Sequence, residues 1–444
     1  MRWCVGALAC RSCAQRTNAQ CTNSLIHQAS KPDSTITPAA PPFLRTRLSG
    51  LLFLQFAVWA SWLVNLGTYL LESLHFTGLQ VGMIYATNAI AATVAPPLMG
   101  WLADRSYPSE RLMGVLNTIG GLALIGCYFT VSFPWFYGLM LLFNLCFIPT
   151  FSLAAAMCFY HLRSPERQYP LIRVWGTVSF MLVGVALSVF GVENSPLPIL
   201  CGGVVSLLLA AYTRWLPHTP PAPGFDWTTL RGAEVSGIFR ARGMVVLLIA
   251  LLASCIPSAF YYSFLNPFLN EIGWPAAAAK MALGQFFEIG VVLAMPWVFR
   301  RFRFRRIIFW GLMAWGLRYF AFGLGRPGAG EGLLYAGIVV QGVAFAWIII
   351  AAQIYVNNRV PDYLRNTAQG IISFANLGLG SFLGSWIAGA TVSAHALPDG
   401  THDWWAIWSV PGTVGVLAAL FFWAAFPRNT RLSASGRDGE VVRE

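Results

Sequence analysis

The chain has 444 residues, of which 57% are apolar, 14% aromatic and only 10% charged, with 18 Trp and a formal net charge of +12. Soluble domains carry charge on about a quarter of their residues, so this composition, with a mean hydropathy of +0.60, excludes an ordinary soluble protein. The positive charge does not argue for a nucleic-acid partner, because basic residues gather beside membrane spans for a separate reason.

Twelve apolar stretches follow one another, over residues 48–71, 81–102, 112–131, 135–159, 171–190, 197–216, 244–269, 276–299, 307–324, 332–356, 368–392 and 404–426. Each is long enough to cross a hydrocarbon layer of about 30 Å at about 1.5 Å per residue. Backbone amides in lipid must pair within their own segment, which selects helices, and the alternation of a lipid-facing barrel strand is absent. The predicted fold class is an all-α polytopic membrane protein with 12 transmembrane helices. The expected organisation is a cytoplasmic tail at 1–46, a six-helix bundle at 47–216, a Pro-rich cytoplasmic linker at 217–243, a second bundle at 244–427 and a cytoplasmic tail at 428–444. The lipid bilayer is the expected surroundings and a monomer the expected state.

Basic residues test the count of spans. With the N-terminal tail inside, twenty-one arginines fall on the inner side, including Arg105, Arg111, Arg163, Arg167 and the run from Arg300 to Arg306, whereas the outer side keeps Arg326 and Lys280. That asymmetry fits twelve spans with both termini cytoplasmic. An internal repeat of about 200 residues supports two halves. Arg163, Pro165, Glu166, Gly176, Ser179 and Phe180 have counterparts in Arg359, Pro361, Asp362, Gly370, Ser373 and Phe374.

The loop after the second stretch reads Gly100, Trp101, Leu102, Ala103, Asp104, Arg105. Gly100 permits close helix packing, and Asp104 with Arg105 can pair across neighbouring cytoplasmic helix ends. With twelve spans and a two-fold repeat, the loop resembles the signature loop of the major facilitator superfamily, which implies a gating role for Gly100, Asp104 and Arg105. Several helices together, Leu54 to Gln80, Ile172 to Phe180, Asn266 to Leu269 and Gln285 to Gly290, resemble the bacterial nucleoside:proton symporters of that superfamily. The resemblance spans about residues 51–426 and implies nucleoside uptake driven by inward proton flow.

The polar residues at membrane depth can be read on their own. Arg173, Thr177 and Phe180 stand at i, i+4 and i+7 on one helix face, and an arginine about 12 Å into a helix starting at Pro165 is costly unless it meets a partner or water. It is otherwise a charge snorkelling to the inner surface. Glu288, at the midpoint of the eighth stretch with Gln285 one turn earlier, is the most expensive residue in the chain, because desolvation disfavours its charged form. That makes it the expected proton carrier, or else a structural acid tied to Arg318 or Arg173. In the family the first of these faces touches substrate, and family members have Gln and Glu at the second pair of positions.

Where the family has amides in the seventh helix, this chain has Ala259 and Tyr262. Where the family has an aromatic followed by Asp in the tenth, it has Phe345 and Ala346, with Gln341 one turn before. These departures leave open a sugar or glycoside as solute, or an exporter. The expected substrate-binding set is Arg173, Thr177, Phe180, Tyr262, Gln285, Glu288, Gln341 and Phe345, with Glu288 coupling the proton. Phe180, Phe345 or Trp62 can stack on a base, although Trp62 alone reads better as a packing residue, and Asn65, Asn88, Asn144 and Asn376 read as interhelical ties.

No enzyme, metal or cofactor is expected. The six histidines fall in loops, tails or helix ends, and no metal-ligand or phosphate-loop spacing appears. Cys127, Cys146, Cys158, Cys201 and Cys255 read as small packing residues of helices. Cys4, Cys10, Cys13 and Cys21 lie in the N-terminal tail.

Overall fold

A computed structural model of the chain describes residues 43–105, 107–162, 165–192, 194–220, 240–359, 371–372 and 374–428, without the side chains of 96–105, 165–167, 170 and 357. Among the described residues, twelve helices are long and apolar enough to cross a membrane. They are α1 (Leu44–Ser73), α2 (Gly78–Ala95), α3 (Ser109–Tyr128), α4 (Phe133–His161), α5 (Leu171–Val189), α6 (Leu197–Trp215), α7 (Arg242–Glu271), α8 (Ala277–Arg301), α9 (Phe304–Leu324), α10 (Glu331–Val356), α11 (Phe374–Ala394) and α12 (Trp404–Ala425). The helix of α2 continues to Arg105, and that of α5 begins at Pro165. Each predicted stretch finds its helix. The bulk of the predicted linker and both terminal tails, with their four cysteines, lie outside the described residues.

The helices are apolar around most of their circumference, as segments meeting lipid on one side and protein on the other must be. Packing follows a repeated plan. In the first half α2 packs on α4, and α3 packs on α4 and α6; in the second, α8 packs on α10, and α9 packs on α10 and α12. The halves meet most extensively through two equivalent contacts, α2 with α11 and α5 with α8, and α1 also touches α7. A shift of six helices maps one set of contacts onto the other, the structural form of the duplication read from the sequence.

At the end carrying the α1–α2 connection, the halves are fastened. Gly82 of α2 lies against Gly389 of α11 so closely that a Cβ on Gly82 would sit 2.4 Å from the Ser385 carbonyl oxygen and 2.8 Å from Gly389 Cα. The Leu79 amide donates to Ser393 Oγ at 2.7 Å. Thr68 of α1 donates to Asn266 Oδ1 of α7, which also accepts from Asn270 Nδ2 at 2.9 Å. Ser188 Oγ of α5 accepts from the Ala279 amide of α8 at 2.8 Å. Small residues bring backbones together, and polar side chains tie them.

Three helices carry wide, π-helical turns: α1 at Tyr69–Ser73, α10 at Ala346–Ile350 and α11 at Phe374–Gly380. Cys127, Cys146, Cys158 and Cys255 are buried packing residues as expected, but Cys201 is exposed on the surface of α6.

The α2–α11 contact has no room for a side chain, so Gly389→Leu will force the helices apart at an overpacking cost of about 1–3 kcal/mol. A fall in the thermal midpoint of the detergent-purified protein checks this. Gly138→Ala, where a Cβ meets nothing within 4 Å, does not lower the midpoint, since Ala in a helix interior is favoured over Gly.

Candidate substrate cavity

Between the halves lies a cavity of about 240 Å³. That is near the lower end of ligand pockets, which run from about 300 Å³, and suits one small solute. Its walls come from α1 and α2 on one side and from α7, α9, α10 and α11 on the other. Aromatic faces are supplied by Trp59, Tyr85, Tyr262, Trp315 and Phe345, and polar groups by Asn88, Ser254, Ser258 and Asn376. This mixture of flat apolar surface and scattered hydrogen-bonding groups matches a polar, ring-bearing ligand.

Two of the wide turns form part of this wall. Phe345 immediately precedes the wide turn of α10, and Ile349 lies within it. Asn376 and Leu377 lie within that of α11. A π turn shifts the angular register of the residues around it, so Asn376 and Ser381, five residues apart, both reach the cavity, although an uninterrupted α-helix of 3.6 residues per turn would set them about 140° apart.

Behind the wall, Arg318 of α9 is buried, at 2% exposure. Its Nη1 donates to Gln341 Oε1, and its Nη2 donates to the Tyr319 hydroxyl at 3.4 Å. That hydroxyl donates in turn to the Pro257 carbonyl. The guanidinium lies 4.2 Å from the Tyr261 ring centroid and 4.9 Å from that of Tyr319. Gln341, itself fully buried, donates from Nε2 to the Tyr262 hydroxyl at 3.4 Å. Arg318 is therefore tied to an amide and a ring hydroxyl, and the ion pair with Glu288 weighed from the sequence is not formed.

The other charged cluster lies where α5 meets α8. Arg173 is half-buried, with its guanidinium 4.1 Å over the Phe56 ring. It and Glu288 feel each other's charge, but among the described residues neither belongs to a direct ion pair. Gly342 makes the approach of α8 to α10 possible, since a Cβ there would lie 2.5 Å from Glu288 Cα.

Of the predicted site residues, Tyr262 and Phe345 line the cavity, and Gln341 stands one hydrogen bond behind it. Arg173 and Glu288 lie on the two helices that form the seam. Thr177 and Gln285 are half-buried on the two seam helices. Phe180 is buried, its ring 6.0 Å from that of Trp59, so it backs a cavity aromatic and is not itself part of the lining described above. Trp62 is 1% exposed and packs on Phe143 at 5.7 Å, as a core residue. On α1 it is Trp59, three residues earlier, that lines the cavity, and sequence reasoning missed it along with Trp315 and Tyr85. Asn144 donates to Thr87 Oγ1 at 2.9 Å, Asn65 accepts from Asn266 and Asn376 Oδ1 accepts from Cys255 Sγ at 2.9 Å, all three interhelical ties, while Asn376 also lines the cavity, as does Asn88. The side chains of Gly100, Asp104 and Arg105 lie outside the described residues.

Comparison with known proteins gives this geometry a family. The chain is 30% identical to the putative nucleoside transporter YegT of Escherichia coli (strain K12), over 88% of this chain and 97% of that protein. It is 30% identical to the xanthosine permease of the same organism, over 86% of this chain and 96% of the permease. The crystal structure of the nucleoside transporter NupG superposes with a TM-score of 0.81 at 27% identity, covering 87% of this chain and all of that one. The twelve helices thus have the major facilitator architecture, and the relatives are permeases. The nucleoside H+ symporter family model matches residues 43–431, and the chain belongs to that family of multi-pass membrane transporters.

Proposed function

We propose that this chain imports nucleosides across the bacterial inner membrane by proton symport, with the cavity between the halves as substrate site and Glu288 as proton carrier. Both termini are cytoplasmic in this reading, and the chain works as a monomer. The observation that carries it is the position of Glu288: a half-buried acid at half-depth of α8, where α8 packs against α5 across the seam and against Gly342 of α10. A carboxylate there changes charge at a cost that depends on what faces it, and both a proton and a substrate alter what faces it.

The halves rock about the central site. With cytoplasmic termini, the fastened end, where Gly82 meets Gly389 and Thr68 meets Asn266, is the outer one. The Gly100, Asp104 and Arg105 segment serves as the latch of the inner end. Arg173, Thr177, Gln285 and Gln341 orient the solute, directly or through neighbours, while Trp59 and Phe345 hold its base. Each inward proton releases about 2.3 kcal/mol per 100 mV. At a driving force of about 150 mV this is about 3.5 kcal/mol, enough for a few hundredfold accumulation at tenfold per 1.4 kcal/mol. One carboxylate is sufficient, so the replacement of the second family acid by Ala346 does not abolish coupling.

In cells expressing the chain, uptake of labelled uridine and adenosine will collapse with a protonophore, and Glu288→Gln will bring uptake to the protonophore-treated level. Uptake indifferent to both treatments overturns the coupling, and absence of nucleoside entry overturns the substrate. Base stacking is worth about 1–3 kcal/mol, so Trp59→Ala and Phe345→Ala will raise the KM about fivefold or more. Trp62→Ala will instead lower the thermal midpoint, since emptying a buried Trp site costs about 3–5 kcal/mol, with little change in the KM of the protein that folds.

A further inference from the structure

The chain from Arg318 through Gln341 to Tyr262 has a direction, and chemistry fixes it. A guanidinium has donors only. Facing Arg318, Gln341 must therefore present its carbonyl oxygen, which leaves its amide nitrogen, a donor only, toward the Tyr262 oxygen at 3.4 Å. The Tyr262 hydroxyl accepts there, so its own hydrogen is free to be donated, and among the described residues no acceptor takes it. Tyr262 lines the cavity.

Reversing the relay would set the Gln341 amide against the Arg318 donors, two buried donors face to face, in a place where Gln341 has no exposure to water. Arg318 cannot turn away to relieve this. Its other terminal nitrogen is engaged by Tyr319, whose hydroxyl is tied to the Pro257 carbonyl, and its plane is flanked by the Tyr261 and Tyr319 rings. Among the described residues no carboxylate pairs with Arg318. Its charge therefore polarises the chain of hydrogen bonds and strengthens the last donor.

We propose that Arg318, Gln341 and Tyr262 form a one-way relay that holds the Tyr262 hydroxyl as a donor toward the cavity, selecting nucleosides with an exocyclic ring oxygen over those with an exocyclic amine. This rests on the nucleoside-transport reading and names the substrate class within it. Inosine and adenosine differ at this edge of a purine, uridine and cytidine at that of a pyrimidine. Within each pair the ribose and the stacking face are shared, so a preference inside a pair reports the edge.

The test is competition. Uptake of labelled uridine and of labelled adenosine is measured against unlabelled inosine, adenosine, uridine and cytidine in cells expressing wild type, Tyr262→Phe or Gln341→Glu, with the amount of each protein in the membrane fraction determined. In wild type, inosine and uridine compete about fivefold or more better than their amino counterparts, the factor of one net hydrogen bond. Tyr262→Phe brings both ratios to near one. Gln341→Glu pairs with Arg318 and offers Tyr262 an acceptor, turning the hydroxyl so that its lone pair meets the solute, and the ratios fall to one or below. Ratios equal in all three proteins, or an amine preference in wild type, overturn the relay and leave the transport reading standing. Entry of neither labelled nucleoside overturns both. Should Gln341→Glu fail to reach the membrane, Tyr262→Phe, which removes one atom, decides by itself.

Discussion

Two guanidinium groups within the apolar helices set the terms for the rest of the molecule, because a cation in hydrocarbon persists only where neighbours replace water. The solutions differ. Arg173 spreads its charge over the face of Phe56 and the field of Glu288, groups on three helices around a seam. Arg318 is held inside one half by an amide oxygen, a ring hydroxyl and aromatic faces. Quadrupoles of rings and dipoles of amides replace a counter-ion, and this leaves Glu288 unclaimed by Arg318. An acid locked in a permanent ion pair would be of little use for carrying protons, so the aromatic setting of α9 bears on the chemistry of α8.

The contacts between the halves divide the same labour in another way. Glycine against glycine, as at Gly82 and Gly389, gives a smooth surface on which backbones lie close without interlocking side chains. The Thr68, Asn266 and Asn270 cluster adds a few directional bonds, each of modest worth in a membrane. Such an interface is firm when closed and inexpensive to part, which is what alternating access asks of it.

Much of the fold was legible because lipid simplifies the problem. The need to satisfy every amide within its own helix turns apolar length into a count of spans, and the placement of arginines checks that count. Glu288, Arg173 and Arg318 stood out from sequence for the same reason: a charge in an apolar run is conspicuous. What was not legible was angular register. Trp59 and Trp62 are three residues apart on one helix, and nothing in their surroundings along the chain tells which turns to the cavity and which to the core. Asn88 and Asn376 were read as ties because an amide in a membrane helix most often is one; Asn376 is tied to Cys255, but both also line the cavity. Their exposure to the cavity depends on packing between α2 and α11, and for Asn376 on a wide turn that the period of an ordinary helix does not anticipate. The partner of Arg318 was missed because charge suggested charge, whereas Gln341 and rings satisfied it.

The wide turns at Ala346–Ile350 and Phe374–Gly380 have a mechanical consequence. Each contains one residue more than an α-helical turn needs, which is slack held inside an otherwise fully bonded rod. By exchanging one carbonyl acceptor for its neighbour, such a bulge can creep along the rod, twisting the segment beyond it while nearly every amide stays capped. The two cavity-lining helices α10 and α11 thus have a means of re-aiming Phe345 and Asn376 within the bilayer core, where a conventional hinge would strand bare peptide groups in oil.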